Sequence, residues 1–184
     1  MIKAVIFDIG GVLVENPKFK EFWNNAEGSK ELRIQFGMQT ISTQEFIRLG
    51  SKILHLSEDE FYKKYKENYW TGELVKDVFE VFKSIKLKKY IFSDTNPIHK
   101  EYLKHNFNEI FEIADKSFLN KRKHFLSSYK EILEEINELP ENVVFIDNNE
   151  QDINNSKKLG IHGILFKDSQ TLKIDLKNLG IDIN

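Results

Sequence analysis

Three short apolar runs each end in a side chain able to do chemistry. Ala4-Val5-Ile6-Phe7 runs into Asp8, Tyr90-Ile91-Phe92 into Ser93, and Val143-Val144-Phe145-Ile146 into Asp147. Runs this short and this rich in β-branched and aromatic residues fit strands buried in a parallel sheet. In an open α/β sheet the ligand lies beyond the carboxyl ends of the strands. Asp8, Ser93 and Asp147 are therefore expected to converge on one crevice. Two carboxylates that face each other need a cation or a proton between them. An all-oxygen donor set suits Mg²⁺, which keeps waters and binds substrate phosphate. Gly10-Gly11 follows Asp8 closely and lets backbone N–H groups approach an anion. Ser93 and a helix beginning near Asn96-Pro97 offer a second anion site. One metal, one free carboxylate and several phosphate-sized donors suggest phosphoryl transfer.

The elements that must position these residues follow from the rest of the chain. A fourth run, Gly163-Ile164-Leu165-Phe166, reads as a strand, and a weaker fifth falls at Phe111 to Ala114. Helical spacing covers Pro97 to Phe107, Ser127 to Ile136 and Asp152 to Leu159. Pro97 suits a first turn and Gly160 a C-terminal cap. Strand and helix in alternation imply an α/β fold, a doubly wound parallel sheet. Residues 15–87 break that rhythm and carry no clear strand. Ser42-Thr43-Gln44-Glu45 and Ser57-Glu58-Asp59-Glu60 read as capping boxes. Helices are expected near Lys18–Asn25, Lys30–Phe36, Thr43–Leu54 and Glu58–Trp70. A further helix, Leu74–Ile85, leads back to the sheet. The expected organisation is a Rossmann-like core from residues 1–14 and 88–184, with an all-helical insertion, residues 15–87, after the first strand.

Composition narrows the function classes. The 184 residues carry 27 Lys and Arg against 29 Asp and Glu, a net charge of −2. That balance argues against a nucleic-acid partner held by bulk positive charge. Cysteine is absent, which excludes a thiol nucleophile, a disulfide framework and a Cys-based zinc site. Arg33, Arg48 and Arg122 are the only arginines, so anion recognition by guanidinium forks has three positions to draw on. No apolar run approaches the roughly 20 residues of a membrane helix, and the start of the chain lacks the pattern of a signal peptide. A cytoplasmic protein with no membrane partner, monomeric or homodimeric, is expected.

At this point the residues match a family. Asp8-Ile9-Gly10-Gly11-Val12-Leu13-Val14 resembles the first motif of the haloacid dehalogenase-like hydrolases. Ser93-Asp94-Thr95-Asn96 is similar to their second motif. Lys123 within Lys121-Arg122-Lys123, followed by the helix with Tyr129, is similar to the third. Phe145-Ile146-Asp147-Asn148-Asn149-Glu150-Gln151-Asp152, then Lys158-Leu159-Gly160-Ile161, is similar to the fourth. The resemblance covers essentially the whole chain, and the insertion stands where the family's small helical cap belongs. Within the family the chain resembles most the branch with a Gly-rich first motif and a Ser-x-Thr-Asn second motif, which includes sugar-phosphate phosphatases acting on glucose 1-phosphate. It implies a small phosphorylated metabolite as substrate. Asp8 would attack phosphorus and become an aspartyl-phosphate. Ser93 and Lys123 would bind phosphate oxygens, assisted by Gly11 and Asp94. Asp8, the carbonyl of Gly10 and Asp147 would hold Mg²⁺, supported by Asn148 or Asp152.

The pattern is broken in four places. Most phosphatases of the family carry a second Asp two residues after the nucleophile, where it protonates the leaving group. Here that residue is Gly10. Loss of such a group costs roughly 10²–10⁴-fold in rate; Glu15, Asp94 or water would have to replace it. Asp94 stands where the branch more often has Asn. His124-Phe125-Leu126 replaces the usual Pro-Asp-Pro after the lysine. Asp147-Asn148 replaces an acidic pair, with Asp152 restoring a carboxylate further on.

Plainer readings accompany each residue. An Asp that closes a strand is often a turn or cap residue, Ser93 could cap a helix, and basic runs like 121–123 are usually solvated. Asp152 could simply favour its helix start. The histidines His55, His99, His105, His124 and His162 lack metal-ligand spacing. Trp23, Tyr69 and Trp70 fit the core of the insertion better than a substrate platform. Two rivals to a phosphatase remain: a metal-independent 2-haloacid dehalogenase, and a non-catalytic relative that only binds phosphate.

Overall fold

β1 (Ala4–Phe7) is buried along its whole length, because it lies between two other strands and is covered on both faces. The computed structural model describes residues 1–16, 19–23, 26–69 and 71–183. β2 (Val14–Glu15), α1 (Phe19–Trp23), α2 (Ser29–Gly37), α3 (Thr43–Ile53), α4 (Glu58–Tyr69) and β3 (Glu73–Leu74) come next. They are followed by α5 (Lys76–Ser84), β4 (Lys88–Phe92), α6 (Pro97–Asn106), α7 (Asn108–Ile113), β5 (Lys116–Phe118) and α8 (Leu126–Ile136). β6 (Val143–Asp147), α9 (Glu150–Lys158), β7 (His162–Leu165) and α10 (Ser169–Asn178) complete the chain.

Five strands form a parallel sheet in the order β5-β4-β1-β6-β7. Successive side chains of a strand point to opposite faces. Ala4 and Ile6 join Phe92, Phe145, Tyr129, Ile132 and Ile153 on the face covered by α8 and α9. On the other face the Phe7 ring meets Phe82 of α5 edge-on, with centroids 5.0 Å apart. The register aligns the functional ends. Phe7 is opposite Ile91 on one side and Ile146 on the other. Asp8, just after β1, and Asp147, the last residue of β6, therefore stand at the same level, with Ser93 one residue beyond it after β4.

By compactness the chain forms two units. Residues 1–15, 74–93 and 108–184 make the sheet unit; residues 16–73 and 94–107 make a helical one. α5 thus counts with the sheet, although the sequence grouped it with the insertion, and α6 counts with the helices. Within the helical unit Trp23, Phe36, Phe46, Phe61 and Tyr65 are buried together. Phe36 stacks on Phe46 at 3.9 Å. A Cβ on Gly50 of α3 would collide with the Phe61 ring of α4, so this glycine sets how closely those helices approach. Trp23 is core, as expected. Trp70 and the side chain of Tyr69 lie outside the described residues, as do the ends of the expected helix 18–25.

Two sequence readings are corrected. The stretch 111–114 is not a strand: its first three residues belong to α7, and the strand is Lys116–Phe118. Ile110 and Ile113 are three residues apart, and the helical period prevails over a run too short to decide alone. Residues 15–87 do contain strand, the short β2 and β3, which pair with each other. Both capping boxes hold their serine contact, with Glu45 N–H donating to Ser42 Oγ at 3.1 Å and Glu60 N–H to Ser57 Oγ at 3.3 Å. The second is complete, since Ser57 N–H donates back to Glu60 Oε2 at 3.1 Å.

Candidate functional site

The Lys123 ammonium lies between two carboxylates in the sheet unit. Its Nζ is 2.7 Å from Asp8 Oδ1 and 2.7 Å from Asp147 Oδ2. All three side chains are buried, Asp147 completely. Charges removed from water persist only when paired and hydrogen-bonded, and here each carboxylate shares one cation. Burial acts to lower the Lys123 pKa, but Asp8 and Asp147 together outweigh it and hold the lysine well above its ordinary value. The Asp147 carboxyl is pushed up to about 7, first by burial and then by the neighbouring Asp8 charge, with Lys123 and the Asn149 N–H pulling the other way. The site is short of positive charge: one ammonium serves two carboxylates.

The backbone fixes each member. Asp8 N–H donates to the Ile146 carbonyl at 2.9 Å, and the Asp147 carbonyl accepts from Phe166 N–H at 2.8 Å. Asn149 N–H donates to Asp147 Oδ1 at 2.8 Å, while the Asn149 side chain caps α9 through Gln151 N–H. Asn155, one turn below Asp152 on α9, donates to the Lys123 carbonyl at 3.4 Å. The loop around Lys123 is closed without prolines: Ser128 Oγ accepts from Arg122 N–H at 3.2 Å, and Phe125 N–H donates to the Arg122 carbonyl at 3.1 Å. His124-Phe125-Leu126 thus leaves the reach of Lys123 intact. Arg122 Nη1 donates to the Leu119 and Lys121 carbonyls, so this guanidinium braces the loop.

The other expected residues fall into place unevenly. Ser93 is buried at the end of β4. Asp94 is exposed and belongs to the helical unit. Gly10 is exposed, and a Cβ built on it would meet nothing within 4 Å. The Gly11 N–H donates to the Val14 carbonyl at 2.8 Å. The φ of Gly11 is 78°, the left-handed region; a Cβ there would meet only the amide end of Asn148, an exposed side chain that can turn aside. Gly11→Ala should destabilise the protein by about 1–3 kcal/mol, from left-handed strain, measured by denaturant unfolding. Asp152 is buried in the first turn of α9, and its carbonyl accepts from Tyr129 OH at 3.2 Å. Among the described residues no group of three or more acidic or histidine side chains forms that could hold a metal. Asp8 and Asp147 bring two carboxylates together around Lys123, an all-oxygen pair that fits an ion completing its shell with water and phosphate.

Asn149, Asn155 and Ser128 were not singled out from sequence. The one signal that could mark Asn149 and Asn155 is the density of Asn and Asp through 147–155; Ser128 has none. Among the described residues no helix is long and apolar enough to cross a membrane.

Comparison with known proteins gives a consistent picture. The family model for haloacid dehalogenase-like hydrolases matches residues 2–160. A HAD family enzyme from Bacteroides thetaiotaomicron, solved with magnesium and inorganic phosphate, superposes with a TM-score of 0.75 at 18% identity, covering 94% of this chain and 99% of that one. A HAD-like family hydrolase from Porphyromonas gingivalis gives 0.77 at 18% identity, covering 97% and 98%. The L-2-haloacid dehalogenase from Xanthobacter autotrophicus gives 0.69 at 17% identity, covering 96% and 83%. At these identities the structural likenesses speak for the fold. No curated protein sequence matches the chain.

Proposed function

Because this chain belongs to the haloacid dehalogenase-like hydrolases, we propose that it is a Mg²⁺-dependent phosphatase of small phosphorylated metabolites, a sugar phosphate above all, acting through phosphorylated Asp8. The observation that carries this reading is the pair of buried carboxylates, Asp8 and Asp147, sharing the single Lys123 ammonium at 2.7 Å from each. A dehalogenase needs the nucleophile but no metal, and Asp147 would then add only an unwanted charge. Asp8, Asp147 and the carbonyl of Gly10 would hold Mg²⁺, which when bound supplies charge that draws an anionic phosphate toward an anionic nucleophile.

The chain's own groups divide the work. The Asp8 carboxylate forms the bond to phosphorus as the ester oxygen leaves. Water then cleaves the aspartyl-phosphate and restores Asp8. Ser93 and Lys123 bind the phosphate oxygens, and Lys123 offsets the charge that builds up on them. Asp147 is kept in place by Asn149 and Lys123. The leaving oxygen takes its proton from water, since residue 10 has no side chain to give one.

The test is phosphate release from a panel of sugar phosphates and a generic aryl phosphate. Mg²⁺-dependent turnover that falls to background in Asp8→Asn supports the reading. Release that persists in Asp8→Asn, or in EDTA, refutes it. The fold likeness to an L-2-haloacid dehalogenase, together with Gly10, favours the second reading. Halide release from a 2-haloacid that survives EDTA would establish that one instead.

A further inference from the structure

Gln39 occupies a backbone position that suits glycine. Helix α2 closes with Gln39 N–H donating to the Phe36 carbonyl and Thr40 N–H to the Gln35 carbonyl, each at 3.0 Å. Gln39 itself has φ of 54°. This is the six-to-one and five-to-two closure of a helix through a left-handed residue, which glycine adopts without steric cost and glutamine does not. Backbone strain of this kind persists where the surrounding structure makes use of it. The Gln39 side chain gives the reason. Its Nε2 donates to the Thr95 carbonyl at 3.4 Å, two residues beyond Ser93.

Gln39 is one of several ties on the same segment, all within the helical unit. Thr95 and Asn96 are buried. Thr95 Oγ1 is 3.1 Å from His99 Nδ1. Asn96 Oδ1 accepts from His99 N–H at 2.8 Å and so caps α6, while its Nδ2 donates to Tyr65 OH at 3.4 Å. The segment that follows Ser93 is thus held by α6 on itself, by α4 through Tyr65 and by the end of α2 through Gln39. We infer that Gln39 is a positioning residue for the second motif: it trades an easier helix end for a fixed Thr95 carbonyl within Ser93-Asp94-Thr95-Asn96. This rests on the reading of Ser93 as a phosphate ligand.

Gln39→Gly and Gln39→Asn both accept the left-handed backbone more readily than Gln, and neither side chain can make the same reach. In both, Tm should stay at or above that of the parent. Backbone hydrogen exchange at Asp94 and Thr95 should become several-fold faster. Orthophosphate, titrated in the presence of Mg²⁺, should bind about three- to tenfold more weakly, the scale of one lost hydrogen bond. A residue that only ends a helix would move neither exchange nor affinity. Unchanged exchange, unchanged phosphate affinity or a lower Tm in both variants would overturn the inference. Ser93→Ala in the same titration keeps the two ideas apart. If it leaves phosphate affinity unchanged, the reading of Ser93 fails, while the exchange rates still decide whether Gln39 holds the segment.

Discussion

Gly10→Asp should raise turnover of sugar phosphates by about 10²–10⁴-fold, the usual worth of a positioned general acid. The position is ready to take a side chain. A Cβ there meets nothing within 4 Å, and Gly10 is not among the glycines with positive φ. Its carbonyl is retained whatever the side chain. The new carboxylate would stand two residues after the nucleophile, where most phosphatases of the family have their acid. The expected gain depends on the leaving group. A sugar alkoxide needs a proton as it departs; an aryl oxide needs little. The ratio of sugar phosphate to aryl phosphate turnover should therefore rise in Gly10→Asp. Equal gains on both substrates would show that the carboxylate acts on something other than the leaving group. No gain on either would show that the proton already has another route.

Lys123→Met removes the shared cation while keeping most of its volume, and should cost about 3–5 kcal/mol of stability in EDTA at pH 8, the range for stripping one partner from a buried ion pair. Turnover should also fall to background. The loss should depend on pH in a definite direction. Asp147 is raised to about 7 with Lys123 present; without it the carboxyl moves higher. A carboxyl whose folded pKa lies above its unfolded value binds its proton more tightly when folded, so its repulsion of Asp8 disappears as pH falls through the folded value. Lys123 stays charged at every pH below its unfolded value of about 10.4, so as pH falls the variant, whose Asp147 takes up its proton first, gains on the parent until the parent's Asp147 also protonates near pH 7. The gap between parent and variant should then be widest at pH 8 and shrink by pH 5.5. Mg²⁺ at pH 8 should restore part of the loss, because a ligand bound only by the folded state stabilises it by mass action. Denaturant unfolding with and without Mg²⁺ at the two pH values measures all of this. A gap that does not narrow at low pH would place the cost in lost packing instead of unpaired charge.

Both experiments rest on features that differ in how plainly the sequence displays them. Asp8, Ser93 and Asp147 are legible because a strand buried on both faces must be written as an unbroken apolar run, and the residue that ends the run is at the sheet's ligand edge. Gly10 is legible as an absence. The helical insertion is legible from its capping boxes and from the lack of long strand patterns. Lys123 is less so: a basic run reads as a solvated face, and only its order among the motifs marked it. The stretch 111–114 misleads because its three apolar residues, set around Glu112, are too few to carry a period of their own.

What the sequence by itself determined is the fold class, the order of the strands' chemical ends and the missing acid, all of which are properties of local pattern. What only the tertiary structure decided is who touches whom across the chain. Lys123 meets Asp147 over 24 positions, Asn155 holds the Lys123 backbone over 32, and Gln39 reaches Thr95 over 56. Gly11 takes the left-handed backbone of its turn, with φ of 78°, and closes it by donating its N–H to the Val14 carbonyl. Local patterns are set by backbone sterics and by which face meets water, and these act on neighbouring residues. A buried ion pair or a strained glutamine is stabilised by partners from distant segments, so nothing in its own neighbourhood records it.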